Sequence, residues 1–600
     1  MMTQTPYTFY ISQVEGFQKQ LNSIKQKLFA SSMLRLGLFL LMCYGIYYFF
    51  GDARWVIGVI LLGSALFLYL ISRHSDLSFQ KNLLQELISL NRKELKALKR
   101  AVTDFPEGNE FKEDMHYYSQ DIDLFGKGSF YQYLNRTATK EGAEKLAEKL
   151  KSNHIDNILQ KQKAVKELSE KAAWRQDFTA YASISKSETS TAEVVQLLKT
   201  HSYFIPQMMR LLPIVFSLLS MAVFVALFLD IIGFKQVLLW LLIGLGISGV
   251  YLKKVNDLSA KMDKTQEVFQ QYHYLLMQIE KTNFASSKLK SLQHQIAVEN
   301  EKASLVAQKF SKKLNALDQR KNMLLGFIIN GFLLWDLNQS YQIEQWMKTY
   351  AHKAEDWFAV IAEMDALNSL ANFSFNHPNY TFPEITKGKN VIEARDFVHP
   401  LLDPAKAVTN NFNIENQQFF IITGANMAGK STFLRTVSLG IVMANLGLPV
   451  CASGFAYSPI KLITSMRTSD SLTDDESYFF SELKRLKFIV DKIQEDNYFI
   501  ILDEILKGTN STDKALGSKK FIEKLVASHH ASRQAGSTGI IATHDLSLCE
   551  VEKDHDEVKN YYFDAEIIND ELHFDYTLKN GIAQNMNASF LLRKMKIVDD

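Results

Sequence analysis

The chain has 600 residues, a formal net charge of +2, ten prolines and three cysteines. The length allows several domains, and so small a net charge excludes the global basic field that marks a general nucleic-acid binder. Cys43, Cys451 and Cys549 lie far apart in the chain, which excludes a disulfide framework or a cysteine metal cluster and fits a reducing compartment.

Taken in order, residues 1–30 predict an amphipathic helix. Two apolar runs follow, Met33 to Phe50 and Trp55 to Ser72, parted by Gly51-Asp52-Ala53-Arg54. Each approaches the ~20 residues with which a helix crosses a hydrocarbon core. Together they predict a transmembrane hairpin over 31–73, with Arg35 near one end and Tyr47, Tyr48 and Trp55 at the interface. About thirty polar or amphipathic residues precede the first run, so a cleavable signal peptide does not fit. Residues 74–117 read as a helical linker, and a helical core begins at 118. A second hairpin over 206–253 interrupts that core after residue 205. Its runs are Leu211 to Leu229 and Gln236 to Leu252, joined by Asp230 to Lys235 and holding Trp240. The core resumes over 254–375 as long amphipathic helices. Within it, Met323 to Trp335 is short and interrupted by Asn330, and reads as a buried core helix.

Lysines and arginines orient the four apolar runs. Lys19, Lys25, Lys27 and Arg35 precede the first hairpin, Arg73, Lys81, Arg92 and Lys93 follow it, and Lys253, Lys254, Lys261 and Lys264 follow the second. The turns hold only Arg54 and Lys235. By the positive-inside rule both turns face out, and both termini are cytoplasmic in a multi-pass cell membrane (inner or plasma) protein.

The last segment, 376–600, carries the chemistry. Gly424-Ala425-Asn426-Met427-Ala428-Gly429-Lys430-Ser431-Thr432 is a complete G-x-x-x-x-G-K-[ST] phosphate loop. An apolar strand, Phe419 to Thr423, leads in, and a helical pattern from Ser431 to Val442 leads out. The glycines let backbone N–H groups close around phosphate oxygens, the helix start adds positive potential, Lys430 reaches the outer phosphates, and Ser431 holds Mg²⁺. Tyr498 to Glu504 is a second apolar strand ending in two carboxylates. Asp503 is placed to hold Mg²⁺ through water and Glu504 to polarise an attacking water. Gly539 to Asp545 is a third, whose tip brings His544 to sense a γ-phosphate. ATP with Mg²⁺ is the expected ligand. Tyr561 to Tyr576 alternates like a hairpin around Asn569-Asp570, and Asn580 to Lys596 reads as a closing helix.

The spacing of these parts resembles the ATPase of the MutS family of DNA mismatch-repair proteins. Asn426-Met427, Ser477 to Glu482, Asp503-Glu504-Ile505 with Gly508 to Ser511 and Asp513, Ala542-Thr543-His544, Glu393-Ala394-Arg395 and His399-Pro400-Leu401-Leu402 each look like a family segment. Fainter likeness runs through Asp121 to Leu150, Gln160 to Leu168 and Glu363 to Ala371. The resemblance implies an α/β P-loop (ABC-type) ATPase domain at the C-terminus, plus an all-α lever and core domain that transmembrane hairpins interrupt here. It implies a homodimer through the ATPase domains, with Ser477 reaching the partner's γ-phosphate and Glu504 and His544 acting in catalysis.

The likeness has departures. Ala425, Ala428, Leu506-Lys507, Tyr478 and Asn510 replace the family's usual residues, none of them a group the chemistry needs. The mismatch-recognition domain with its Phe-x-Glu wedge has no counterpart in the first hundred residues. Phe105-Pro106-Glu107 matches it by letters alone, in a linker. Lys288, Lys290, Lys312 and Lys313 read as solvated helix faces or as phosphate contacts. The expectation is a membrane-anchored ATPase dimer that engages mismatched or branched DNA. The alternatives are a mechanochemical membrane ATPase with no nucleic-acid role, and a membrane scaffold with a vestigial ATPase.

Overall fold

The structure is a computed structural model describing residues 5–184, 189–299, 301–321, 323–467, 478–531, 537–568, 571–584, 594 and 597. Thr5 caps the first helix by accepting from the Thr8 N–H, and Pro6 occupies the first turn, where no donor is lost. This helix, α1 (Pro6–Tyr48), runs unbroken, and after a turn the chain returns as α2 (Ala53–Leu98). The boundaries expected near 30 and 73 therefore fall inside helices. Hydropathy changes at those points, but neither proline nor glycine stops the helix. The polar halves remain paired, with Leu21 packed on Leu84 and Ile88.

The helical core comprises α3 (Phe130–Leu134), α4 (Lys140–Lys151), α5 (Ile158–Glu170), α6 (Ala172–Ile184), α7 (Thr191–Thr200), α8 (Leu212–Phe228), α9 (Phe234–Lys281), α10 (Ser287–Gln295), α11 (Ala303–Asp318), α12 (Met323–Leu333) and α13 (Trp335–Asn376). Two sequence segments more than 220 residues apart meet in it. Asp365 of α13 accepts from the Ala138 N–H at 3.0 Å, the Thr139 N–H at 2.9 Å and the Thr139 hydroxyl at 2.6 Å. The Thr139 hydroxyl in turn accepts from the Gly142 N–H at 3.0 Å and caps α4. A Cβ on Gly142 would lie 2.2 Å from Asp365 Oδ2, so only glycine fits there. At the far end of α13, buried Tyr10 donates its hydroxyl to Asn376 Oδ1 at 2.7 Å, and Phe9 meets Phe375 edge-on. The chain's first helical turn is thus docked where the core hands over to the C-terminal domain.

The helices Pro6–Tyr48, Gly58–Leu98 and Phe234–Lys281 are long and apolar enough to cross a membrane by length and composition, and Leu212–Phe228 is a shorter apolar helix. In α9 the expected boundary near 253 is again not a break. Its first half exposes Leu239, Leu242 and Val250, while its second half buries Val268, Tyr272 and Leu276 in the core.

One helix departs from its sequence reading. The stretch Met323 to Trp335, expected as a buried core helix, is split by Leu334, whose φ of 48° ends α12 and starts α13. Phe327 and Ile328 are 53% and 54% exposed, so α12 buries only the face that carries Gly326, Asn330 and Gly331. It lies against the apolar halves of α8 and α9. Ser220 donates to the Phe332 carbonyl at 2.7 Å and accepts from the Trp240 indole at 2.7 Å. A Cβ on Gly244 would lie 2.1 Å from the Gly331 carbonyl oxygen, the close small-residue contact by which apolar helices pack. Its apolar exposed face is the continuation of the second hairpin's surface. Phe105, by contrast, is buried beneath the Arg136 guanidinium, 4.4 Å from its ring centre, and presents no wedge.

The C-terminal domain holds two sheets. The smaller takes β1 (Glu384–Ile385), β2 (Asn390–Phe397), β3 (Asn410–Glu415) and β5 (Gly454–Tyr457), in the order β1-β5-β2-β3. The larger takes β4 (Phe419–Gly424), β6 (Lys461–Ser465), β7 (Tyr498–Asp503), β8 (Thr538–Ala542), β9 (Val558–Ile568) and β10 (Glu571–Asn580), in the order β10-β9-β4-β8-β7-β6. All its pairs are parallel except β9 with β10. Helices α14 (Lys430–Leu446), α15 (Tyr478–Glu495) and α16 (Ser511–Ala531) connect the strands. Strand β4 is central and wholly buried, which explains its unbroken apolar sequence. The expected terminal hairpin is present over a wider span; its turn residues, 569 and 570, and most of the expected closing helix lie outside the described residues.

The edge strand β6 is covered from the core. The Thr464 N–H donates to the Tyr117 carbonyl, and Asp121 accepts from the Arg467 N–H at 2.8 Å. Arg467 also forks onto the Asp123 carboxylate. Residues 117–123 therefore shield an otherwise open sheet edge as well as opening the core.

Candidate ATPase site

The site forms where β4, β7 and β8 end side by side. Gly424 turns the chain out of β4 at φ 144°, where a Cβ would meet the Phe563 carbonyl at 2.5 Å. Gly429, at φ 106°, is the residue before α14. Between them Ala428 is buried, and Met427 is exposed at φ 67°. The loop thereby points backbone N–H groups and the helix start into one cleft.

Lys430 folds back over the loop. Its Nζ donates to the Gly424 carbonyl at 2.7 Å and the Ala425 carbonyl at 2.9 Å, and lies 3.3 Å from His544 Nε2. Burial pushes its pKa down to about 8 against the pull of Asp503 and Glu504. His544 follows β8 and is held below its ordinary pKa by burial and by Lys430, so its imidazole is neutral near pH 7. The Ser431 hydroxyl donates to Asp503 Oδ2 at 2.7 Å. This pair of oxygens at the cleft floor is what a hard divalent cation takes from protein, the rest coming from phosphate and water.

Glu504 sits at φ 54°, anchored by its N–H to the Ala542 carbonyl at 2.9 Å. Lys514 Nζ is 3.1 Å and Lys507 Nζ 3.9 Å from its carboxylate. Burial raises the carboxyl's pKa, but the two lysines and His544 outweigh it and hold the group below its usual range. Nothing in the linear pattern announced Lys514, which reaches Glu504 from the first turn of α16.

A cleft of about 780 Å³ joins these groups. Ala425, Asn426, Met427, Gly429, Lys430, Ser431, Thr432, Asp503, Glu504 and His544 line it, while Gly424 and Ala428 shape it from behind. The opposite wall holds Phe397, His399, Leu402, Val408 and Tyr576. His399 stood in the sequence segment His399-Pro400-Leu401-Leu402, whereas Tyr576, whose ring leans on Gly429, had no sequence signal. Ser477 lies outside the described residues. The role of Glu482, in the same segment, is visible: buried on α15, it accepts from the N–H groups of Leu506 at 2.5 Å and Lys507 at 3.0 Å and so braces the loop behind Glu504.

Residues 420–595 match the family model described as MutS domain V. Over 264 residues the chain is 28% identical to proteins named DNA mismatch repair protein MutS from Staphylococcus aureus strains JH9 and Newman. The alignment covers 43% of this chain and 29% of each relative, so the chain spans less than a third of the length of the curated relatives it matches.

Proposed function

We propose that the chain, whose C-terminal domain matches MutS domain V, is a membrane-anchored, Mg²⁺-dependent ATPase of the MutS family working as a dimer and engaging mismatched or branched DNA. The observation that carries the ATPase reading is the convergence of Lys430, the Ser431–Asp503 pair, Glu504 and His544 in one cleft. Lys430 exchanges its two loop carbonyls for phosphate oxygens. Ser431 and Asp503 hold the cation, and bound there Mg²⁺ neutralises charge on the β- and γ-phosphates. Glu504, oriented through its backbone and flanked by Lys514, accepts hydrogen bonds from the attacking water. Neutral His544 stands beside Lys430, placed to donate to the γ-phosphate. Ser477, on the segment entering α15, completes the site of the partner subunit. The apolar halves of α1, α2, α8 and α9 cross the bilayer, with the ATPase on the cytoplasmic side.

The DNA part rests on the relatives. A second reading, a mechanochemical membrane ATPase without nucleic acid, is favoured by α9, which carries an apolar half and a core half in one uninterrupted helix. ATP turnover by the full chain in lipid nanodiscs, with and without homoduplex, mismatched and branched DNA, separates the two. The first reading expects a change in rate with one of these structures; turnover indifferent to all of them overturns its DNA part. In the same assay Glu504→Gln is expected to bind ATP but lose at least about a hundredfold in turnover, the usual scale for a general base. Full activity of that variant would remove Glu504 from its role.

A further inference from the structure

Helix α12 is too short to cross a bilayer. Its eleven residues make about 16 Å at 1.5 Å per residue, half of a hydrocarbon core of ~30 Å. Yet what it turns outward is apolar: its exposed residues, among those described, are Phe327, Ile328 and Leu333. Asn330, its one polar residue, is turned inward and 8% exposed. The Asn330 amide nitrogen donates to the Gly326 carbonyl at 3.0 Å, and its amide oxygen accepts from the Asp336 N–H at 2.9 Å. Leu334, where the helical geometry breaks, is fully buried. A helix facing water carries its polar groups on the outside. One facing hydrocarbon satisfies its polar groups inside and keeps irregular backbone covered by protein. Helix α12 follows the second pattern.

Its surroundings agree. Just before it, Arg320 donates to Asn256 Oδ1 at 2.6 Å, four residues beyond the end of the apolar run of α9 at Leu252. Arg320 also pairs with Asp336 at 3.2 Å, and both side chains are largely covered by protein. Further along, Gly331 meets Gly244, in the middle of that apolar run, and the Phe332 ring lies 4.9 Å from Phe224 of α8. Between α8 and the end of α12 runs a groove of about 390 Å³, walled by Met221, Phe224, Val225, Phe228, Phe332 and Leu333. The two hydroxyls in it, Ser217 and Ser220, donate to the Pro213 and Phe332 carbonyls at 2.7 Å each, so neither is left as a donor for water.

We propose that α12 is a fifth membrane-embedded element, a half-depth helix whose Phe327–Ile328 face lies among the acyl chains of the leaflet on the ATPase side, with an acyl chain filling the groove beside α8. The inference rests on the membrane reading of α8 and α9 made above. Since α13 begins directly after Leu334 and runs to Asn376, the lipid of that leaflet touches one end of the helix that leads to the ATPase domain.

The test is a nitroxide attached at Phe327→Cys in the full chain, in nanodiscs, with the native Cys43, Cys451 and Cys549 replaced by alanine and ATP turnover retained as the check on folding. Collision with oxygen reports hydrocarbon, and collision with a nickel chelate reports water. The same label at Leu242→Cys, on the apolar half of α9, and at Leu305→Cys, exposed on α11, supplies the two references. The expected result is that the label at 327 is open to oxygen and shielded from nickel, as at 242. Nickel access at 327 with none at 242 overturns the placement of α12 and leaves the membrane reading standing. Nickel access at 242 overturns that reading and this inference with it. Shielding from both reagents at 327 assigns the face to a second copy of the chain and overturns the lipid. In the chain with its native cysteines, Ile328→Asp is expected to lower the unfolding midpoint in nanodiscs by several degrees, because a carboxylate is costly in hydrocarbon and harmless on a face turned to water. An unshifted midpoint overturns the inference independently.

Discussion

The ion pair between Glu504 and Lys514 sets the carboxylate proposed as general base against a lysine at 3.1 Å. A carboxylate so held is a weaker base and is turned toward α16. Lys514→Ala is therefore expected to raise basal ATP turnover several-fold and to move the acid limb of its pH profile upward, as Glu504 returns toward its ordinary pKa. An unchanged profile would show that the pair opens whenever nucleotide binds. Lys430 gives a second expectation. In the empty cleft its pKa is about 8, and bound phosphate charge raises it. Below pH 8 the lysine is charged in both states, and ATP affinity is flat. Above it, binding takes up a proton and affinity falls as pH rises, until the pKa of the bound state is passed. Calorimetry in buffers of different ionisation enthalpy reads that uptake directly. Of these residues, the ones whose chemistry is fixed by local chain geometry were legible: a glycine loop followed by Lys430 and Ser431, and a strand delivering Asp503 and Glu504. Lys514 was not, because its pairing depends on how α16 folds back beside the tip of β7.

At the level of elements, Asp365 ties α13 to the start of α4. It satisfies two backbone donors and a hydroxyl, and removing it leaves them buried and unpaired. Asp365→Ala is expected to cost about 3 kcal/mol, and Gly142→Ala to act in the same direction because its Cβ would strike that carboxylate. Thermal unfolding of each variant in nanodiscs checks this, and a melt unshifted in Asp365→Ala would show that the joint is not used. The segments that meet here were recognisable separately in the sequence, but their contact was not, since nothing in a linear pattern pairs Thr139 with Asp365. The boundaries read near 30, 73 and 253 mark where hydropathy changes, and α1, α2 and α9 run through them without a break in the backbone. For α12 the sequence is ambiguous in principle: an eleven-residue stretch, apolar but for Asn330, reads alike whether protein or lipid covers it.

For the whole molecule, the proposed dimer makes a prediction that no single chain can. If Ser477 serves the partner's nucleotide, a mixed dimer of Ser477→Ala with Lys430→Ala concentrates both lesions in one of its two sites and keeps the other intact. Such a mixture is expected to recover about half of wild-type turnover per dimer, where each homodimer is nearly inactive, since a group acting on transferring phosphate is worth orders of magnitude in rate. Absence of recovery in verified mixed dimers would place Ser477 in its own subunit's site.

The unbroken length of α9 has a mechanical consequence. Its 48 residues make a rod of about 72 Å at 1.5 Å per residue. Pivoted at its core end by about 5°, such a rod carries its far tip through roughly 6 Å, with no hinge along it to absorb the swing. A bilayer yields easily to a helix that tilts and resists one that is pushed through it, because tilting keeps apolar surface in hydrocarbon. If the apolar half of α9 crosses a bilayer as proposed, whatever rotation nucleotide imposes on the core is delivered to the membrane as inclination, magnified by lever length.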